Sequence, residues 1–207
     1  MRPRRGWKGR VLVALAPAIV LVACGSDAPA LSTADPVHYL ITIDQLVAPD
    51  FTVTTAAAHV DAATLAGGDA TLASALTANG LQSAASVEYQ RDVDFSTSNG
   101  PIDVVATVER FGATSKASSA FAAVVKHLDA LTGAVPTSTG PLGNQAHAIS
   151  VVKNTPAAIP AVEITVVWRV GNLVNIIIAR GRYGGTRIDD ALTLAGLQTQ
   201  NESASGG

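Results

Sequence analysis

Residues 161–179 read AVEITVVWRVGNLVNIIIA, and this stretch decides the fold class. Its first half alternates at a period of two, which is typical of a β-strand with two distinct faces. One face carries Val162, Ile164, Val166 and Trp168, and the other carries Glu163, Thr165, Val167 and Arg169. Gly171-Asn172 is a tight-turn signal, and the segment 173–179 after it is apolar except for Asn175. The stretch therefore predicts a β-hairpin whose second strand is covered on both faces.

The order of elements around this hairpin occurs twice in the chain. Residues of about 83–131 and of about 146–198 each predict a strand, a hairpin and then an amphipathic helix. The two units share a pattern rather than identical residues, so they form a pseudo-repeat. Because neither unit can bury its apolar face alone, we expect one α+β domain over 37–200. Its predicted core is an antiparallel or mixed sheet with the helices packed on one face.

Shorter signals fill the chain before the first unit. Residues 37–43 and 51–55 are β-prone and predict two short strands. Asp69 is placed to cap a helix that Asn79-Gly80 ends. Small and polar residues over 24–36 predict a flexible tether, and the composition of 201–207 predicts a disordered tail.

The first 23 residues have the layout of a signal peptide. The n-region is basic, with five positive charges and no acidic residue over 1–10, and 11–23 is an uninterrupted run free of charges. Thirteen residues are too few to span a bilayer core, which needs about 20. The run ends in Leu21-Val22-Ala23-Cys24-Gly25, with a small residue directly before the cysteine.

That ending resembles the lipobox of bacterial lipoproteins. The resemblance implies cleavage before Cys24, a diacylglyceryl group on its thiol and further acylation, such as palmitate, at the new amino terminus. It also implies a domain held by lipid at the outer face of the cytoplasmic membrane. An ordinary signal peptide with a chance cysteine and an uncleaved anchor are the alternatives. Cys24 is the only cysteine of the chain, so we expect no disulfide within the domain.

Removal of the leader makes the chain acidic. Five of the 14 basic residues lie in the leader, so 9 basic residues face 16 acidic ones and the formal charge is −7. This balance argues against nucleic acid and against adhesion to anionic lipid through a basic patch. The 184 residues after the leader are enough for one domain with a sizeable core.

Candidate binding residues gather in the last third of the chain. Arg180, Arg182 and Arg187 surround Tyr183 and form the only basic cluster, which suits either an anionic ligand or partner or a solvated loop with salt bridges. Trp168 falls on the apolar side of its strand, as a core residue or as one wall of an apolar pocket. We take Trp168, Arg180, Arg182 and Tyr183 as the ligand-binding candidates.

No motif for catalysis, a cofactor or a metal is found. The chain has no nucleophile elbow, phosphate loop or paired metal-ligand spacing. The loop from Asp92 to Ser98 has alternating oxygen ligands but lacks the glycine and glutamate of a calcium loop. His38 and His59 could bind metal only if folding brought them to nearby carboxylates. We therefore predict neither cofactor nor metal.

The stretch VWRVGNLV over Val167–Val174 resembles the strand–turn–strand of several extracytoplasmic actinobacterial domains. These include the sensor domains outside some membrane kinases and small cell-envelope lipoproteins. The kinase domains carry disulfide cysteines that this chain lacks, so their ligand site is not carried over.

These observations favour a non-catalytic binding or sensor domain at the cell envelope. Its partner would be a small lipophilic ligand or an envelope protein. Two alternatives stay open on the sequence alone, namely a cell-envelope hydrolase whose site is assembled only by folding, and a structural envelope protein.

We predict that Cys24 is the mature, acylated amino terminus. Mass spectrometry of the membrane-extracted protein should find a diacylglyceryl-modified Cys24 as the first residue. The Cys24→Ala variant should lose this modification and leave the membrane fraction or accumulate as uncleaved precursor. The prediction would be contradicted if Cys24 of the wild-type protein carried no lipid and the Cys24→Ala variant stayed fully membrane-bound through its uncleaved leader.

Overall fold

A computed structural model describes residues 31–46, 48–154 and 159–205. The predicted signal peptide and Cys24 lie outside the described residues. The strands are β1 Phe51–His59, β2 Leu81–Arg91, β3 Asp103–Phe111, β4 Ala134–Thr137, β5 Gln145–Lys153, β6 Ala161–Val170 and β7 Leu173–Arg182. The helices are α1 Ala62–Leu65, α2 Ala70–Ala78, α3 Thr114–Asp129 and α4 Ile188–Ser205, with 3-10 turns at Pro36–Tyr39 and Ile43–Gln45.

The seven strands form one sheet in the order β1–β2–β3–β7–β6–β5–β4. Every neighbouring pair is antiparallel. The α+β class and the antiparallel sheet are therefore confirmed. The two pseudo-repeat units meet at the centre, where β3 pairs with β7 from Asp103↔Arg180 to Arg110↔Leu173.

The helices cover both faces of the sheet rather than the one face that we expected. On one face, Leu194 and Ala195 of α4 pack with Trp168. On the other face, Phe121 and Val124 of α3 pack in a second cluster with strand residues of the opposite alternation. The reason lies in β6 and β7, whose alternating residues are apolar on both sides and need two covers.

The predicted strand over 37–43 is wrong, because this segment forms 3-10 turns. Asp35 accepts a hydrogen bond from the backbone N–H of Val37 at 2.9 Å, and Pro36 begins the first turn. Proline at the start of a helical turn after an Asp cap is a helix signal that outweighs the β-branched residues nearby. The turns bury Tyr39 and Ile41 against β2, where the Tyr89 hydroxyl donates to the Ile41 carbonyl at 2.7 Å.

Two further elements escaped the sequence prediction. Asp61 caps the short α1 by accepting from the Thr64 N–H at 2.8 Å. β4 pairs with β5 at the sheet edge, where Pro136 is tolerated because one side of the strand needs no partner. The helix capped by Asp69 is confirmed as α2, with bonds from the N–H groups of Thr71 and Leu72.

Both predicted boundaries of the domain are too narrow. Ser32 exchanges two hydrogen bonds with the Asn172 side chain, at 2.7 and 3.0 Å, so contacts with the domain extend into the predicted tether. Helix α4 continues through most of the predicted tail. There Asn201 donates to the Leu40 carbonyl at 3.1 Å and accepts from Gln45 at 2.8 Å. The composition of this segment predicts solvated amide groups. The Asn201 amide instead joins the last turns of α4 to the amino-terminal 3-10 turns.

Two carboxyl groups are buried, one on each side of the sheet. Glu109 of β3 is 1% exposed, and its Oε2 has no hydrogen-bond partner among the described residues. Burial raises the pKa of the Glu109 carboxyl to about 8. Glu202 of α4 is also buried, and burial raises its pKa to about 8 although the Asn175 amide lowers it in part. Both groups are protonated and neutral in the fold at neutral pH.

We predict that these carboxyls make the fold less stable as the pH rises. The folded state holds protons that the unfolded chain loses above its pKa of about 4.3, so stability is lost between that pH and about 8. The limiting slope is about 1.4 kcal/mol per pH unit for each group. The Glu109→Gln and Glu202→Gln variants should gain unfolding free energy over wild type across this range, measured by urea unfolding at pH 5 and pH 8.5. Parallel pH curves for wild type and the double variant would contradict the assignment.

Candidate functional site

A pocket of about 310 Å³ opens on the α4 face of the sheet, beside the start of α4. Three parts of the chain meet there, namely the segment that enters β1, the loop between β2 and β3, and the first turns of α4. The lining residues are Leu46, Ala48, Phe51, Asn99, Gly100, Pro101, Val104, Asp190, Thr193 and Leu194. The volume lies at the lower end of the range for small-molecule sites.

The apolar walls of the pocket come from residues that each belong to a different element. Val104 lies on the α4 face of β3 and forms the floor, and Leu194 reaches it from α4. Phe51 is the first residue of β1 and is 9% exposed. The Arg91 guanidinium lies 5.6 Å from the centre of the Phe51 ring, which fixes that ring by a cation–π contact.

The loop Asn99-Gly100-Pro101 forms the opposite wall and is held by several hydrogen bonds. The Gly100 N–H donates to the Gly185 carbonyl at 2.9 Å, and the Thr186 hydroxyl donates to the Gly100 carbonyl at 2.9 Å. Arg182 donates through Nε to the Ser98 carbonyl at 3.1 Å and through Nη2 to Asn99 Oδ1 at 3.3 Å. This wall is therefore rigid and depends on the turn that follows β7.

Gly181 and Gly185 are required because the loop before β3 and the Thr186 side chain pack directly against their backbone. A Cβ at Gly185 would lie 2.5 Å from the Ser98 carbonyl oxygen. A Cβ at Gly181 would collide with the Thr186 hydroxyl that holds the loop. The sequence GRYGGT thus provides the space into which the loop of the pocket fits.

The polarity of the pocket favours uncharged ligands. Among the described residues that line it, Asp190 is the only ionisable one. Its Oδ2 accepts a hydrogen bond from the Arg187 N–H at 2.8 Å at the start of α4. A carboxylate ligand would meet this negative charge, whereas an apolar body with one neutral polar end would not.

The four predicted binding residues do not come together. Trp168 is fully buried, and its Nε1 donates to the Thr199 hydroxyl at 2.9 Å beneath α4. Arg180 points to the other face and pairs with carboxylates there. Arg182 holds the pocket loop, and Tyr183 is 56% exposed beyond it. Direct ligand contact by any of the four stays a prediction.

Sequence reasoning missed the residues that form the pocket. Leu46, Phe51 and Leu194 are single apolar residues separated by long stretches of chain, so no spacing relates them. Val104 is part of a recognisable strand pattern, but the pattern indicates only burial. The hydrogen bonds that hold the loop 99–101 to the turn after β7 depend on the pairing of β3 with β7, which no local pattern reveals.

The other motifs have structural explanations. His59 and Asp35 do meet, at 3.1 Å, in an exposed pair. In the loop from Asp92 to Ser98, Asp94 accepts hydrogen bonds from the N–H and the hydroxyl of Ser96, as a turn does. Among the described residues no three His, Cys, Asp or Glu side chains are arranged to hold a metal ion. Within the same residues no helix has the length and apolar character needed to cross a membrane.

Comparisons with known proteins found a likeness in structure. No family model and no curated protein matches the chain. A solved structure that does match is the extracellular domain of PknH from Mycobacterium tuberculosis, with 12% identity and a TM-score of 0.48. The match covers 80% of this chain and 93% of that one.

We predict that Arg182 stabilises the pocket loop. The Arg182→Ala variant should lose about 1 kcal/mol of unfolding free energy, since two hydrogen bonds to the loop disappear. Hydrogen exchange at the Gly100 and Ile102 amides should accelerate in the same variant. The matched control is Arg187→Ala, an exposed arginine of the same turn. Equal exchange rates in the two variants would show that Arg182 does not hold the loop.

Proposed function

We propose that the chain is a lipid-anchored envelope lipoprotein whose domain binds a small, uncharged lipophilic ligand in the pocket beside α4. The observation that carries this proposal is the pocket itself. It combines apolar walls with a rigid loop and a single carboxylate. Pockets that are mainly apolar and contain few polar groups are typical of small-molecule binding.

The way in which the amino-terminal segment meets the domain supports an anchored orientation. Ser32 contacts Asn172 in the β6–β7 turn, and Asn172 also donates to the Phe111 carbonyl at the end of β3. The pocket lies at the other end of β3, about 27 Å away at the usual strand rise. The seven Cα-to-Cα steps from Cys24 to Leu31 can span at most roughly 25 Å.

A lipid on Cys24 would therefore hold the turn end of the sheet towards the bilayer. The pocket would face away from the membrane surface, so its ligand would arrive from the aqueous side of the envelope. This arrangement fits a domain that detects or carries a released molecule. It fits less well a domain that extracts lipid directly from the bilayer to which it is anchored.

The test is ligand binding by the full-length protein. N-phenyl-1-naphthylamine is a neutral apolar probe whose fluorescence should rise on binding, and an n-alkanol should displace it better than the carboxylate of equal length. The Ala48→Phe variant places a ring in the pocket and should weaken probe binding at least about tenfold. Ala78→Phe on α2 is the matched control, because it adds the same ring at an exposed site away from the pocket.

Native mass spectrometry of protein isolated from its own host provides the second measurement. A retained neutral molecule that is absent from Ala48→Phe but present in Ala78→Phe would identify the ligand. Equal probe affinity in the two variants, or preference for the carboxylate competitor, would rule out this pocket as the binding site.

A further inference from the structure

A second concavity lies on the opposite face of the sheet, where neither α3 nor α1 covers the strands completely. This amine groove, as we name it below, has a volume of about 390 Å³. It runs over β2, β3 and β7 and is flanked by β1 and α1. The lining residues are Thr55, Ala58, Val60, Thr64, Leu65, Gly67, Ser86, Val87, Glu88, Val105, Thr107, Ile176, Ile178 and Arg180.

The floor of the groove is apolar and partly exposed. Val105 pairs with Ile178 across β3 and β7, and Thr107 pairs with Ile176 in the next row. Val105, Ile176 and Ile178 are each half-buried, unlike the fully covered Val174 of the same face. Three half-exposed branched side chains on an otherwise covered sheet face are suited to an apolar ligand chain.

The outer end of the groove is acidic. Arg180 donates from Nη1 to Asp103 at 2.7 Å and from Nε to Glu163 at 2.8 Å, and Lys153 lies 2.9 Å from Glu163. Glu88 lines the groove beside this network, where its carboxyl accepts the Thr55 hydroxyl at 3.0 Å and lies within hydrogen-bonding reach of the Asp103 carboxyl. When all are ionised, the three carboxylates exceed the two cations by one charge.

The unbalanced charge belongs to the pair Glu88 and Asp103. Burial raises the pKa of the Asp103 carboxyl, Arg180 opposes that rise, and Glu88 adds to it both through its negative charge and through a hydrogen bond between the two carboxyls. Arg180 is already engaged by two carboxylates, so it has little capacity left for an anion. A single positive charge placed at Glu88 would balance the network.

We propose that the amine groove binds a primary amine with an apolar body. Its ammonium group would donate to the Glu88 carboxylate, which the Thr55 hydroxyl holds in place. Its apolar chain would lie over Val105, Ile176 and Ile178. This site is separate from the pocket beside α4, because Val104 lines that pocket while its neighbour Val105 faces the groove.

The probes are n-octylamine, n-octanol and octanoate, which share one chain and differ in charge. Calorimetry at pH 7 uses the full-length Ala48→Phe protein, in which the pocket beside α4 is blocked, and should show that octylamine binds at least about tenfold more tightly than either other probe. The preference should shrink in high salt, because the pairing is partly exposed. The Glu88→Gln variant should bind octylamine no better than octanol, and Ile178→Thr should weaken all binding in the groove.

The matched control is Asp92→Asn, which removes the same charge from an exposed loop and should leave the preference unchanged. Circular dichroism checks that each variant is folded. Octanol binding as tightly as octylamine, an unchanged preference in Glu88→Gln, or no octylamine binding at all would each overturn the proposal. The outcome is independent of the pocket beside α4, since Ala48→Phe should not alter octylamine binding.

Discussion

Strands β6 and β7 lie between two helices, with α4 on one face and α3 on the other, and the rest of the fold follows from this double cover. Trp168 faces α4 while its neighbour Val167 faces α3, and both are fully buried. A strand buried on both faces must pair any polar group that it carries. Arg169 does so by donating to Gln145 at 2.7 Å and to the Gly171 carbonyl at 2.7 Å. Burial on both faces and the hydrogen bonds of Arg169 thereby hold the β6–β7 hairpin in place.

The same constraint explains how α4 meets the 3-10 turns that precede β1. α4 is long enough to cover the hairpin and then to reach the 3-10 turns of the amino-terminal segment. Asn201 holds the Leu40 carbonyl, and Gln198 donates to the Thr107 carbonyl at 3.1 Å and to Asn175 at 3.2 Å. In the absence of a disulfide, these amide contacts connect elements that are far apart in sequence. They do so at positions where a sequence pattern alone shows only polar residues.

The fold was predictable to the extent that its information is local. The hairpin of β6 and β7 and the cap at Asp69 are each contained within a few residues, and both were identified. Helix placement was not, because whether a helix packs above or below a sheet depends on which face remains uncovered. The pocket was missed for a related reason, since Phe51 and Leu194 meet only through the sheet order. The arginine cluster was identified, but its part in holding the loop depends on the β3–β7 pairing.

Both concavities arise where the double cover ends. At the start of β3, only the first turns of α4 reach one face and the short α1 flanks the other, so loops complete the cover there. Alternation along β3 then assigns Asp103 and Val105 to one face and Val104 to the other. On the α4 face, the loop at 99–101 closes over Val104 and leaves an apolar pocket with one carboxylate. On the opposite face no loop closes, and the ion pairs of Arg180 mark the outer end of an open groove. Adjacent residues of one strand thus face two surfaces of different chemistry, and a substitution in this strand can alter one surface without directly contacting the other.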